Sequence, residues 1–124
     1  MTQFLAEFSD YVQKKHNAEA GFITMNLPQL VTELEKLGLD NPIVCSSINK
    51  IGFRMSGGNE NYEKLLKEKR FRVVAMQVLA AGGVRPTEAI EYVAKLEGVE
   101  FIVFGASTPS HIRETKELID KHSV

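Results

Sequence analysis

Few residues in this chain are of types that do chemistry, and the densest group lies past its middle. Residues 78–88 read VLAAGGVRPTE: an apolar run breaks at Gly82-Gly83, and Pro86 and Thr87 then lead into a helical pattern. A glycine pair at that place has two physical uses. It lets backbone N–H groups approach an anionic oxygen closely, or it turns a buried strand sharply into a helix through positive φ with no side chain against the sheet. Both uses stay open on the sequence. Ser107, Thr108 and Pro109 open a further helix, whose first N–H groups attract anions as those of any capped helix do. His111 follows in the first turn of that helix and reads as a surface residue. Cys45 lies inside an apolar run with no histidine close by to activate it, so it reads as a small buried side chain rather than a nucleophile. Lys64, Lys67, Lys69, Arg70 and Arg72 cluster among Glu60, Glu63 and Glu68, which describes a solvated helix face. One cysteine and three histidines leave no metal-ligand spacing and no internal disulfide.

The elements that must position these residues follow from periodicity. Phe4, Leu5, Phe8, Tyr11 and Val12 recur at helical spacing, which predicts an amphipathic helix over residues 1–16. GFITM (21–25) is a short strand. Asn26 caps a helix carrying Leu27, Leu30, Val31, Leu34 and Leu37, with Pro28 tolerable in its first turn and Gly38 at its end. PIVCSSI (42–48) is a second strand, and MSGGN (55–59) leads through an Asn59 cap into a helix with Tyr62, Leu65 and Leu66 inward. FRVVAMQVLA (71–80) is the third strand, followed by a helix over Thr87–Leu96. EFIVFGA (100–106) is the fourth, and Thr108-Pro109 supply the cap and first position of a last helix. The strands are apolar in continuous runs, as strands buried on both faces are, and strand–helix alternation predicts parallel pairing.

The chain is therefore expected to be a single α/β domain over 1–124, with a helix at 1–16 and four βα units over 21–119. Its 124 residues suffice for a core, and 44% apolar residues, 25% charged residues and a formal charge of −1 describe an ordinary globular protein. That charge leaves no electrostatic footprint for nucleic acid or a membrane surface, and no apolar run approaches the ~20 residues of a membrane span. The first residues lack the layout of a signal peptide, so a cytoplasmic setting is expected, and Met1 with its helix reads as a natural start. Two architectures accommodate four βα units: half of an eight-stranded TIM barrel, or an open flavodoxin-like doubly wound sheet.

Residues 71–118 carry a resemblance that bears on this choice. PTEAIEYV, EGVEFIVFGAS and TPSHIRET resemble, in order and spacing, the last two βα units of the aldo-keto reductases, and GFITMNLPQLVTEL with NPIVCSSIN is more loosely similar to the two units before them. The resemblance implies the C-terminal half of a TIM barrel and a place for a reduced nicotinamide cofactor (NADPH). The family's catalytic tetrad comes from the first half of its barrel, which has no counterpart here. Ile23 and Thr24 stand where a serine and an asparagine hold the nicotinamide amide, and Met76 stands where an aromatic ring stacks. Gly105 and Ala106 replace a basic–serine pair, His111 replaces an arginine, and Arg113 and Glu114 match.

AAGGVRPTEA also resembles the phosphate-binding turn of aldolase-type barrels. That likeness implies an anionic small molecule held by Gly82, Gly83 and Arg85, with Gly105, Ala106 and Ser107 as a second wall. Lys50 then falls where some of those enzymes carry a Schiff-base lysine. Three functions follow as expectations: a half-barrel oxidoreductase relative without catalysis of its own, a phosphate-binding or aldolase-like protein, and a structural association module. Four strands alone leave edges and an inner surface uncovered. Inward side chains drawn from Phe22, Val44, Val74, Met76, Ile102 and Phe104 are expected to be buried in a homodimer, a higher oligomer, or against a complementary half-barrel.

Overall fold

The computed structural model describes residues 1–123 and contains five α-helices and four strands. Helix α1 is Thr2–His16, followed by β1 Gly21–Thr24, α2 Leu27–Lys36, β2 Ile43–Ser47, α3 Gly58–Lys67, β3 Arg72–Met76, α4 Pro86–Lys95, β4 Val99–Ile102 and α5 Pro109–His122. The strands pair in parallel in the order β1-β2-β3-β4. A doubly wound sheet needs its strand order to reverse, because right-handed crossovers place helices on the second face only after a reversal. A purely sequential order puts every crossover helix on the same side. That is the arrangement of consecutive barrel units, and it removes the flavodoxin-like alternative.

Local chemistry accounts for most boundaries. Asn26 Oδ1 accepts from Gln29 N at 3.2 Å and starts α2, and Thr108 Oγ1 accepts from His111 N at 3.2 Å and starts α5. Asn59 does not cap α3. That helix begins two residues earlier, at Gly58 behind Gly57, whose φ of 100° suits only glycine. The third strand, expected over 71–80, stops at Met76 because Gln77 turns into the left-handed region with φ 54° and the chain then coils into a 3-10 turn at Ala80–Gly82. The fourth, expected over 100–106, pairs only as far as Ile102.

The register separates two faces. Phe22, Val44 and Val73 lie side by side and are buried under the helices, joined by Ala75 in the next row. Leu27, Leu30, Val31, Leu34, Tyr62, Leu66, Ala89, Ile90 and Val93 close over them from α2, α3 and α4. Helix α1 joins the same layer, since the Phe8 ring meets Phe22 edge-on with centroids 6.0 Å apart. The opposite row is Ile23, Cys45, Val74 and Phe101, with Met76 and Val103 beyond it. No helix covers that row: Ile23 is 70% exposed, Phe101 60% and Val103 51%. Of the side chains expected to face inward, Phe22, Val44 and Ile102 therefore point the other way, into the helix layer. The strands are buried on one face, not two. The chain exposes 7722 Å² in all, where a compact monomer of 13.9 kDa exposes about 6700 Å².

One glycine fixes how β4 enters the sheet. Gly98 has φ 86°, and a Cβ there would lie 2.3 Å from the Leu66 carbonyl oxygen at the end of α3. Neither the backbone nor the helix end can yield cheaply. Gly98→Ala is expected to destabilise the fold by roughly 3 kcal/mol, read as a fall in the urea midpoint with unchanged slope.

Candidate functional site

In stacked parallel βα units the loops after the strands converge at one end, and chemistry is carried there. At that end β2 delivers Ser47 and Asn49, and β3 delivers Met76 and Gln77. Ser47 is fully buried and donates its hydroxyl to Gln77 Oε1. Asn49, also fully buried, donates through Nδ2 to Phe53 O (2.8 Å) and Gln77 O (3.2 Å) while its Oδ1 accepts from Phe53 N (2.8 Å). Its side chain therefore folds the loop after β2 and ties it to the loop after β3. The second loop needs the tie, because Gln77, Ala80 and Ala81 all hold left-handed backbone that alanine and glutamine adopt at a cost.

Asn59 extends this network. Its Nδ2 donates to Asn49 O at 2.8 Å and to Tyr92 Oη at 3.0 Å, and the Tyr92 hydroxyl in turn donates a hydrogen bond to Glu63 Oε1 at 2.9 Å. Burial pushes the Tyr92 phenol above its ordinary pKa, so it serves as a donor throughout the neutral range. Nothing in the sequence marked these partners, because the groups joined lie between 10 and 33 residues apart.

Beside this network, a cleft of about 570 Å³ runs between the ends of β3 and β4, lined by Met76 to Gly82 and by Val103, Phe104 and Gly105. It brings Gly82 and Gly105 together, as the two-walled reading requires. Gly83, Arg85, Ala106 and Ser107 stay outside its lining. Arg85 is exposed at the start of α4, and His111, Arg113 and Glu114 are exposed on α5.

The glycine turn itself bears on the anion reading. Gly82 N donates to Leu79 O (3.0 Å), Gly83 N to Ala80 O (3.0 Å) and Val84 N to Leu79 O (3.3 Å). The amides that would cradle a phosphate are engaged within the turn. Gly82 is needed for its φ of 86°, and Gly83 because a Cβ would crowd the Ala80 carbonyl and Ile51 at 3.1 Å. This geometry supports the strand-to-helix turn. A larger cleft of about 670 Å³ lies at the other end of the sheet, between α2 and Arg70, where Arg70 pairs with Glu35 and Glu68. That end of stacked βα units serves stability.

Lys50 lies on the rim and pairs with Glu88 Oε2 at 3.3 Å, both side chains about half exposed. A Schiff-base lysine is desolvated or crowded by another cation so that it loses its proton; this one faces water and a carboxylate. Lys50→Ala is expected to change stability by less than about 0.5 kcal/mol, and borohydride with small aldehydes or ketones to trap no adduct at this residue by mass spectrometry. Cys45 sits half-buried on the open face, not in the core, and burial raises its thiol pKa, which leaves it protonated at neutral pH. No group of three or more metal-ligating side chains occurs among the described residues.

The chain matches no known family model, no curated protein and no solved structure. No titratable side chain lines the cleft, so it offers hydrogen bonds from Gln77 and apolar contact but neither acid nor base. A nicotinamide dinucleotide does not fit these residues. Ile23 has no polar group, the Thr24 hydroxyl accepts from Asn26 N at 2.8 Å, and Gly105 and Ala106 bring no charge to the last loop.

Proposed function

We propose that this chain is one half of a (βα)8 barrel, related in form to the aldo-keto reductases, that performs no chemistry alone and supplies one wall and half the rim of an assembled barrel. The observation that carries the reading is the bare apolar row Ile23, Cys45, Val74 and Phe101 on a sheet whose helices all lie on its other side. Inside a closed barrel those side chains would be packed in layers. Removing the remaining exposed area of Ile23, Phe101 and Val103 from water is worth roughly 1–2 kcal/mol each, a large share of a typical net stability of about 5–15 kcal/mol. The surplus of about 1000 Å² over a compact monomer points the same way.

The absence of independent catalysis is supported by the cleft, whose lining holds no titratable side chain. The expected result is that pure protein leaves the fluorescence of NADPH unchanged on titration and reduces no simple aldehyde. Saturable binding accompanied by turnover would overturn this reading. An anion-binding role retains only Arg85, which makes no ion pair among the described residues, against three amides already engaged.

A further inference from the structure

We infer that the open face and both sheet edges receive a partner of four parallel strands and three helices, and not a second copy of this chain. The inference rests on the half-barrel reading and adds the identity of the missing half. An eight-stranded barrel has eight positions for helices, one between each pair of neighbouring strands. This chain fills three of them with α2, α3 and α4. It also carries a helix beyond each edge: α1, docked by Leu5 and by Phe8 on Phe22 next to β1, and α5, docked on α4, with Ile119 lining one pocket together with Ile102 of β4.

Closing the barrel with a second copy would set β4 of each chain beside β1 of the other. At each of those junctions α5 of one chain and α1 of the other would need the same position. Two copies bring ten helices to eight places. A segment that begins with a strand and ends with a strand brings three helices and fills the ring. Its first strand lies along β4 and its last along β1, parallel to both, and its inward side chains are apolar to meet Val74 and Phe101. Helix α1 leaves apolar surface for a neighbour to cover: Phe4 is 69% exposed and Tyr11 54%. The surplus of about 1000 Å² matches the roughly 800 Å² per partner of a stable interface.

Cys45, the sole cysteine, lies on the face in question and reports its occupancy. The test follows its labelling by a maleimide together with light scattering. The probe is residues 18–107 of this same chain with Cys45→Ser, which retain four strands and three helices and lack both flanking helices. The full chain is expected to label at the same rate at every concentration by itself. Co-expressed with the probe, it should form a one-to-one complex in which labelling slows at least about tenfold. As a route that does not rely on the probe's folding, Leu5→Asp with Phe8→Asp in the full chain undocks α1, vacates the contested position, and is expected to yield a two-copy species with Cys45 protected. A full, unaltered chain that protects Cys45 by pairing with itself would overturn the inference and leave the half-barrel reading standing. If neither the probe nor the undocked variant protects Cys45, the inference is lost. A monomer whose Cys45 is already protected sinks the half-barrel reading as well.

Discussion

Asn49→Ala should cost the fold about 3–5 kcal/mol, the largest loss expected from any single side-chain amide in this chain. The side chain is fully buried and makes three hydrogen bonds, to Phe53 N, Phe53 O and Gln77 O. Alanine leaves a backbone donor and two acceptors without their partner, at the half-buried Phe53 and Gln77, where water reaches them only in part. Each such group costs about 1–3 kcal/mol, partly recovered where the loop relaxes. The strained backbone from Gln77 to Gly82 loses its tie to the loop after β2 and keeps only the Ser47–Gln77 side-chain bond, so the rim of the cleft should loosen with it. Urea denaturation measures the first effect and hydrogen exchange at residues 77–84 the second. Asn26→Ala is the control, since it removes one exposed cap and should cost only about 1 kcal/mol. A loss at position 49 no larger than at position 26 would show that the two loops hold without the amide.

Replacing Ile23 and Phe101 together by glutamate should leave the stability of the lone chain within about 1 kcal/mol and weaken association through the open face at least 100-fold. The two expectations come from the same fact. Both side chains stand largely in water, so charge there costs the isolated fold little. In an assembled barrel they become core, where losing their burial costs roughly 1.5–3 kcal/mol each before the charge is counted, and 2.7 kcal/mol is already 100-fold in affinity. Binding of a hydrophobic dye should fall in parallel. Phe22→Ala gives the contrast, because Phe22 belongs to the helix-covered row and should lose about 3–5 kcal/mol in the lone chain. If the double glutamate variant instead unfolds the isolated protein, that face is packed within the chain and no partner is needed.

The sequence by itself determined the elements and their order. Helical periodicity placed α1 through α5, Asn26 and Thr108 marked two helix starts by their side-chain caps, and strand–helix alternation required a parallel sheet. These are local matters, decided by a side chain and the backbone within four residues of it. The tertiary structure alone decided three others. Continuous runs such as FIVF and RVVAM carry no alternation, so nothing local says which parity faces the helices, and a shift of one residue exchanges the faces. The register with neighbouring strands settled it and turned Phe22, Val44 and Ile102 toward the helices. Strand order was equally hidden, because parallel strands joined by helices have the same local pattern whether the order runs straight or reverses. The rim was the third: Asn59 read as a helix cap and Asn49 drew no reading until folding set Asn49 against Gln77, 28 positions away, and Asn59 against Tyr92, 33 away. A hydrogen bond between groups so far apart in sequence exists only once the sheet has brought them together.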